Sequence, residues 1–228
     1  MQYLGGKHRI ARRICEVLIS IRGGRPYTEP FVGGGSVLFR LDGQRFASDV
    51  SESLINMYIA IQDGWEPPDT LSEGEYNKLK NELDSSNPMT AFAGYGCSFG
   101  GKYFAGYARG AKGRNYALSA KRALLRDRGK MKDVVFKSIS YNDISCRGHL
   151  IYCDPPYRGT TGYGFDFNHD MFWAWARRMA KTNTVLVSEY TAPAFAIELA
   201  TFETKTDIRT KSGGKEARTE RLFSVLPD

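Results

Sequence analysis

Metal-binding and disulfide patterns are missing from this chain. Its four cysteines, Cys15, Cys97, Cys146 and Cys153, form no Cys-x-x-Cys pair, and its three histidines, His8, His149 and His169, are scattered. A structural metal site or a disulfide framework is therefore not expected, and the thiols read as free. No apolar run nears the roughly 20 residues that a membrane span needs. Charges interrupt the N-terminal segment early, so it carries no signal-peptide core. Membrane insertion and export are disfavoured, and a cytoplasmic chain is expected. Internal repeats and low-complexity tails are absent too. Acidic residues nearly vanish from one stretch, where Asp127 is the only acid between residues 100 and 132.

What remains is an ordinary globular composition, 42% hydrophobic and 25% charged over 228 residues, enough for one full core and a small insert. The net charge of +7 is consistent with a polyanionic partner. The most informative stretch is Asp154-Pro155-Pro156-Tyr157. It follows Leu150-Ile151-Tyr152-Cys153, an apolar run that reads as a buried strand. Two prolines cannot continue a central strand, so the chain turns there. A carboxylate, prolyl carbonyls and an aromatic ring are thereby left at a strand end, where open α/β sheets bind ligands. An exocyclic amino group of a nucleobase can donate to Asp154 and to the Pro155 carbonyl, while Tyr157 stacks on the base. A plain Pro-Pro turn with a surface Asp explains the same four residues, so other motifs must decide.

Upstream, residues 27–36 read Tyr-Thr-Glu-Pro-Phe-Val-Gly-Gly-Gly-Ser, a short strand, a glycine turn and a helix start at Ser36. Consecutive glycines let a backbone approach a ligand closely and adopt positive φ. No Lys-Ser or Lys-Thr follows them, so this is not a P-loop. The next strand, 45–49, ends in Asp49, about 20 positions beyond Glu29 at the entry to the turn, where a carboxylate binds ribose hydroxyls. Asp49 also suits a helix N-cap ahead of Ser51-Glu52-Ser53-Leu54, and the two roles are compatible.

Taken in order, Tyr3-Leu4-Gly5-Gly6-Lys7, then Glu29-Pro30-Phe31-Val32-Gly33-Gly34-Gly35-Ser36, then Asp49, then Asp154–Tyr157, the chain resembles the Dam-type adenine-specific DNA methyltransferases of the D12 class, the alpha group. The likeness runs through most of the chain and is weakest between about residues 64 and 132. It implies a Rossmann-like class I S-adenosylmethionine-dependent methyltransferase fold with an inserted DNA target-recognition segment. The catalytic domain would comprise residues 1–62 and 133–228, and the insert residues 63–132. The resemblance implies that Tyr3, Gly5, Gly6, Glu29, Pro30, Phe31, Gly33, Gly35 and Ser36 surround S-adenosylmethionine, that Asp49 holds its ribose and that Lys7 neutralises its methionine carboxylate. Tyr141 and Asp143 would contact its adenine. Asp154 and Tyr157, with Pro155 and Pro156, would hold the target base. Double-stranded DNA is the implied partner, with no membrane and no metal, for a monomer or weak dimer in a bacterial or phage-infected host cell.

The insert carries the charge. Lys102, Arg109, Lys112 and Arg114 are interleaved with aromatics such as Phe99 and Tyr103, which favours DNA contact over a solvated helix face around 117–128. A helix near 73–83, a hairpin or ordered loop at 94–103 and a basic helix are expected there. The core then resumes with strands at 134–140, 150–153 and 184–188, a helix capped by Asn168, and a terminal antiparallel pair, 202–209 and 219–226, around Gly213-Gly214. Three functions stay open: adenine N6 methylation, N4-cytosine methylation by the same amine logic, and a catalytically silent DNA-binding protein. Methylation of protein or RNA fits the N-terminal motif less well. C5-cytosine methylation is disfavoured, because its Cys nucleophile is usually presented as Pro-Cys and no Pro-Cys occurs.

Overall fold

The computed structural model describes residues 1–110, 113–158, 167–209 and 215–228, without the side chains of 204–209 and 215–218. The seven-stranded sheet has the order β3-β2-β1-β4-β5-β7-β6. Its strands are β1 (Tyr27–Glu29), β2 (Arg45–Ser48), β3 (Val134–Lys137), β4 (Leu150–Cys153), β5 (Thr184–Glu189), β6 (Ala196–Arg209) and β7 (Lys215–Val225). The first five pair in parallel, and β7 runs antiparallel between β5 and β6. This is the sheet of the class I methyltransferase fold, as the motif order implied. The strand reversal between β1 and β4 opens the crevice where such sheets bind ligands.

Burial explains the strand sequences. Every residue of β1 and β4 is buried, as expected for central parallel strands covered on both faces. Edge strand β3 instead alternates buried and exposed residues. Helix α1 (Ala11–Arg22) buries Ala11, Ile14, Cys15 and Leu18, spaced as one face of a helix, and ends on Gly23 in the left-handed region. Helix α2 (Glu52–Gln62) follows β2. The expected helix after Ser36 is only a 3₁₀ turn, Leu38–Arg40.

The segment expected as an insert, 63–132, begins with α3 (Glu73–Glu82), whose N-terminus is a full capping box between Ser72 and Glu75. A short α4 (Pro88–Ala91) runs into a π-helical turn, Phe92–Gly96. Instead of a hairpin, a single bridge joins Ser98 to Tyr107, so the segment is an ordered loop. Helix α5 (Tyr116–Arg128) is capped by the Asn115 side chain and buries Ala117, Ala120 and Leu124, while Leu118 and Leu125 are only half-buried. Insert residues Tyr76, Phe92 and Leu124 share one apolar cluster with Leu18, Tyr58 and Phe136, so packing runs continuously from one part to the other. Helix α6 (His169–Ala180) starts at Asn168, whose side chain accepts the Met171 N–H. The turn expected at Gly213-Gly214 lies outside the described residues. No described helix is long and apolar enough to cross a membrane.

Candidate active site

The glycine turn is held from three sides. Asp49 Oδ2 accepts the Gly33 N–H at 3.0 Å, Tyr58 donates to the Gly33 carbonyl at 2.7 Å, and the Val32 N–H reaches Ser48. Gly33 has φ +44°, and a Cβ there would lie 2.8 Å from the Tyr3 ring. Glycine is thus required by both backbone and space. The N-terminal motif sits on this turn, with Ser36 Oγ accepting the Lys7 N–H. Its other side meets the insert loop. Leu4 N–H donates to Gly101 O, and the rings of Tyr3, Tyr95 and Tyr103 form a ladder with centroids 4.9 and 4.8 Å apart.

These contacts enclose a cavity of about 500 Å³ at the carboxyl ends of β1, β2 and β4. Tyr3, Gly5, Gly6, Lys7, Glu29, Phe31, Gly33, Ser36, Asp49, Tyr141 and Asp154 line it, as do Pro156, Lys102 and Tyr103. Three expected cofactor residues do not. Pro30 and Gly35 belong to the turn's own packing, since a Cβ on Gly35 would meet the Phe39 ring at 2.2 Å. Asp143 is exposed at the last position of the 3₁₀ turn Tyr141–Asp143. Pro155 is buried outside the cavity, and Tyr157 also stays out of it. The Tyr157 ring packs edge-on against Tyr190 at 4.7 Å, beneath the Lys7 ammonium.

Lys7 is the hub of the acidic end. Its Nζ lies 2.9 Å from Asp154 Oδ1 and 3.4 Å from Glu220 Oε2, and only 6% of its side chain is exposed. Burial raises the Asp154 pKa, and the Lys7 charge pulls it back down. Glu29 is pushed up to about 8 by burial, although it accepts the Tyr27 hydroxyl at 2.6 Å, and Asp154 adds to the rise. Glu29 is therefore mostly a neutral acid at pH 7. Asp49 is raised by burial against the N–H groups of Ser51, Gly33 and Val50. Its Oδ1 accepts the Ser51 N–H at 3.0 Å, so Asp49 braces the entry to α2 while facing the cavity. The N-cap of α2 is Ser51 rather than Asp49, which braces the cap from two residues ahead of it.

S-adenosylmethionine fits the donors present. Phe31, Tyr141 and Phe167 pack with ring centroids 5.5–5.8 Å apart, an apolar wall of the cavity that suits one face of a purine. Asp49 has lone pairs left for ribose hydroxyls, and the acidic end suits a sulfonium cation. The carboxylate role implied for Lys7 must compete with its pairing to Asp154.

The insert's cations are arranged differently. Arg109 pairs with Glu73, Lys121 with Asp69 and Arg128 with Glu66, all acids upstream in the insert. Arg114 lies over the Tyr116 ring, and Lys112 is outside the described residues. Phe99 is 76% exposed on the loop that also supplies Lys102 and Tyr103 to the cavity. Glu220 and Glu189 escaped the sequence reading. Glu220 lies in the middle of an antiparallel strand with no motif around it. Only the register of β5 with β7 brings the pair beside Asp154.

Sheet order and crevice together are those of the class I S-adenosylmethionine-dependent methyltransferase fold. Residues 3–90 match the family model of the D12 class N6 adenine-specific DNA methyltransferase, which bears out the resemblance over somewhat more than a third of the chain. No curated protein gives a match. Among solved structures, a Pyrococcus horikoshii protein proposed to be an RNA methyltransferase is 10% identical, with 98% of this chain and 86% of that one covered at a TM-score of 0.47. Magnesium protoporphyrin IX methyltransferase from Synechocystis, solved with bound SAM, is 10% identical, with 97% and 79% covered at 0.44. A predicted N6-adenine-specific DNA methylase from Listeria monocytogenes is 12% identical, with 100% and 54% covered at 0.37.

Proposed function

We propose that this chain methylates the N6 amino group of an adenine flipped out of a short duplex DNA site. One observation carries the proposal: Lys7, the pair Phe31 and Gly33, Asp49 and Asp154, from four separate sequence motifs, line a single cavity. When bound, S-adenosylmethionine supplies an electrophilic methyl group on a sulfonium. Phe31 and Tyr141 would flank its purine, and Asp49 would accept its ribose hydroxyls.

The adenine N6 lone pair is delocalised into the ring, so the amine is a poor nucleophile. Asp154 and the Pro155 carbonyl accept from N6 and bias it toward tetrahedral geometry, aiming the lone pair. The Lys7 charge favours the ionised form of Asp154, the stronger acceptor, against the burial that raises its pKa. Positioning and electrostatics, rather than a strong base, supply the rate. A duplex hides N6 in pairing, so the base must leave the stack at a cost of a few kcal/mol. Stacking on Tyr157 offsets part of that cost once the ring turns from its place against Tyr190. Lys102 and Tyr103 stand at the cavity wall, where a DNA backbone entering with the flipped base would pass, and Arg109 and Arg114 would extend that path.

Mass spectrometry of nucleosides from DNA incubated with the protein and S-adenosylmethionine tests the proposal. N6-methyladenine is the expected product. N4-methylcytosine alone would move the substrate to cytosine and leave the amine mechanism standing, and no methylated nucleoside at all would sink the enzyme reading.

A further inference from the structure

Glu220 has no part in the mechanism above, yet it touches two residues that do. It lies on β7, two strands from Asp154, and its side chain is only 17% exposed. Its Oε2 is 3.4 Å from Lys7 Nζ and accepts the Tyr157 hydroxyl at 3.3 Å. Lys7 in turn lies 2.9 Å from Asp154 and 4.3 Å from the Tyr157 ring centroid. One carboxylate oxygen thus closes a ring of contacts about Asp154. We propose that Glu220 is a positioning residue of the methyl-transfer site, sharing the Lys7 ammonium with Asp154 and fixing the ring that receives the base. Its part in methyl transfer rests on the proposed function.

The arrangement is more than a strand-end ion pair. A single ammonium shared by two nearly buried carboxylates leaves the cluster acidic, and charges removed from water interact strongly. A cation at the reacting end, whether a sulfonium or a newly methylated amine, finds complementary charge there. The described titratable groups facing Asp154 are Lys7, Glu29, Tyr152, Cys153, Tyr157, Glu189 and Glu220. Among them Lys7 lowers the Asp154 pKa and the charge of Glu220 raises it. Removing only that charge therefore moves Asp154 to a lower pKa, a sign that a merely structural role does not produce.

Glu220→Gln keeps size and an acceptor for Tyr157 but loses the charge. Carboxyl NMR of the full chain, with Asp154→Asn used to assign the signal, needs neither DNA nor cofactor. The Asp154 midpoint is expected to fall in Glu220→Gln, and an unmoved midpoint overturns the proposal. In turnover, kcat should drop about tenfold or more and the acid limb of its pH profile should move to lower pH. Glu220→Asp keeps the charge and shortens the reach. Its rate should fall while its acid limb stays in place, and a wild-type rate in that variant also overturns the positioning role. If the wild-type protein forms no methylated nucleoside, the functional reading fails, and the NMR titration still decides whether Glu220 governs Asp154.

Discussion

Two charged regions of this molecule face opposite electrostatic problems. In the crevice, Lys7, Asp154 and Glu220 are packed with little access to water and answer to one another. On the insert, Arg109 and Glu73 pair at side-chain exposures of 74% and 44%. Coulomb attraction at the first site is poorly screened, while at the second it competes with solvent and salt. A change of one charge should therefore propagate in the crevice and stay local on the insert. The sequence inverts this emphasis, because the dense basic run of the insert is conspicuous and the crevice charges are scattered from Lys7 to Glu220.

The sharpest contrast comes from breaking the crevice at Asp154. Asp154→Ala should abolish methyl transfer, a loss of about a thousandfold or more, because N6 loses the acceptor that orients it. It also leaves Lys7 dependent on Glu220, so stability should fall by roughly 1–3 kcal/mol. Asp154→Asn preserves the shape but can turn a donor toward the amine, so it should be severely impaired while folding better. Cofactor affinity, measured by calorimetry, should fall less than kcat in both. Full activity in Asp154→Ala would refute the amine-orienting mechanism.

Glu29 extends the comparison to pH. Its native pKa of about 8 exceeds the ordinary 4.5. Between those values the unfolded chain has lost a proton that the folded chain keeps, so stability falls as pH rises through that window. The loss amounts to about 1.4 kcal/mol per pH unit for a single group. Glu189, raised to about 7 chiefly by burial, acts with the same sign. Glu29→Gln mimics the neutral acid that already accepts the Tyr27 hydroxyl, so it should fold and should flatten this dependence. Urea unfolding near pH 5 and near pH 8 checks it. An equally steep decline in the variant would mean that Glu29 is ionised in the native chain.

Much of the fold was legible because local chemistry matched tertiary need. The apolar run 150–153 became β4, the Asn168 cap started α6, and the glycine turn met Asp49 as their spacing suggested. The missing helix after Ser36 and the absent hairpin at 94–103 are cases where glycine-rich sequence settled into short 3₁₀ and π turns against aromatic neighbours. Within the site, residues in compact motifs were readable. Glu220 was not, because nothing near it in sequence announces that β7 will insert beside β5. Pairings such as Arg109 with Glu73 were equally hidden, since charge composition does not reveal which acid faces which base.

The smallest effect is expected on the insert, and it tests whether those pairs are held in reserve for DNA. Arg109→Ala breaks an exposed pair, so stability should change by no more than about 0.5 kcal/mol. If Arg109 leaves Glu73 for a phosphate, DNA affinity on any sequence should weaken, and the slope of log affinity against log salt should flatten by about one unit. Adding Arg114→Ala should flatten it by about one more. Glu73→Gln supplies the opposite sign: with its partner gone, Arg109 is freer for phosphate, and DNA should bind somewhat tighter at low salt. Cofactor affinity should stay constant in all three variants, because none of these side chains lines the cavity. Salt titrations of a labelled duplex give the slopes directly. An unchanged slope in the Arg109, Arg114 double variant would make this face a solvated, self-neutralised surface and move the DNA path to the loop bearing Phe99 and Lys102.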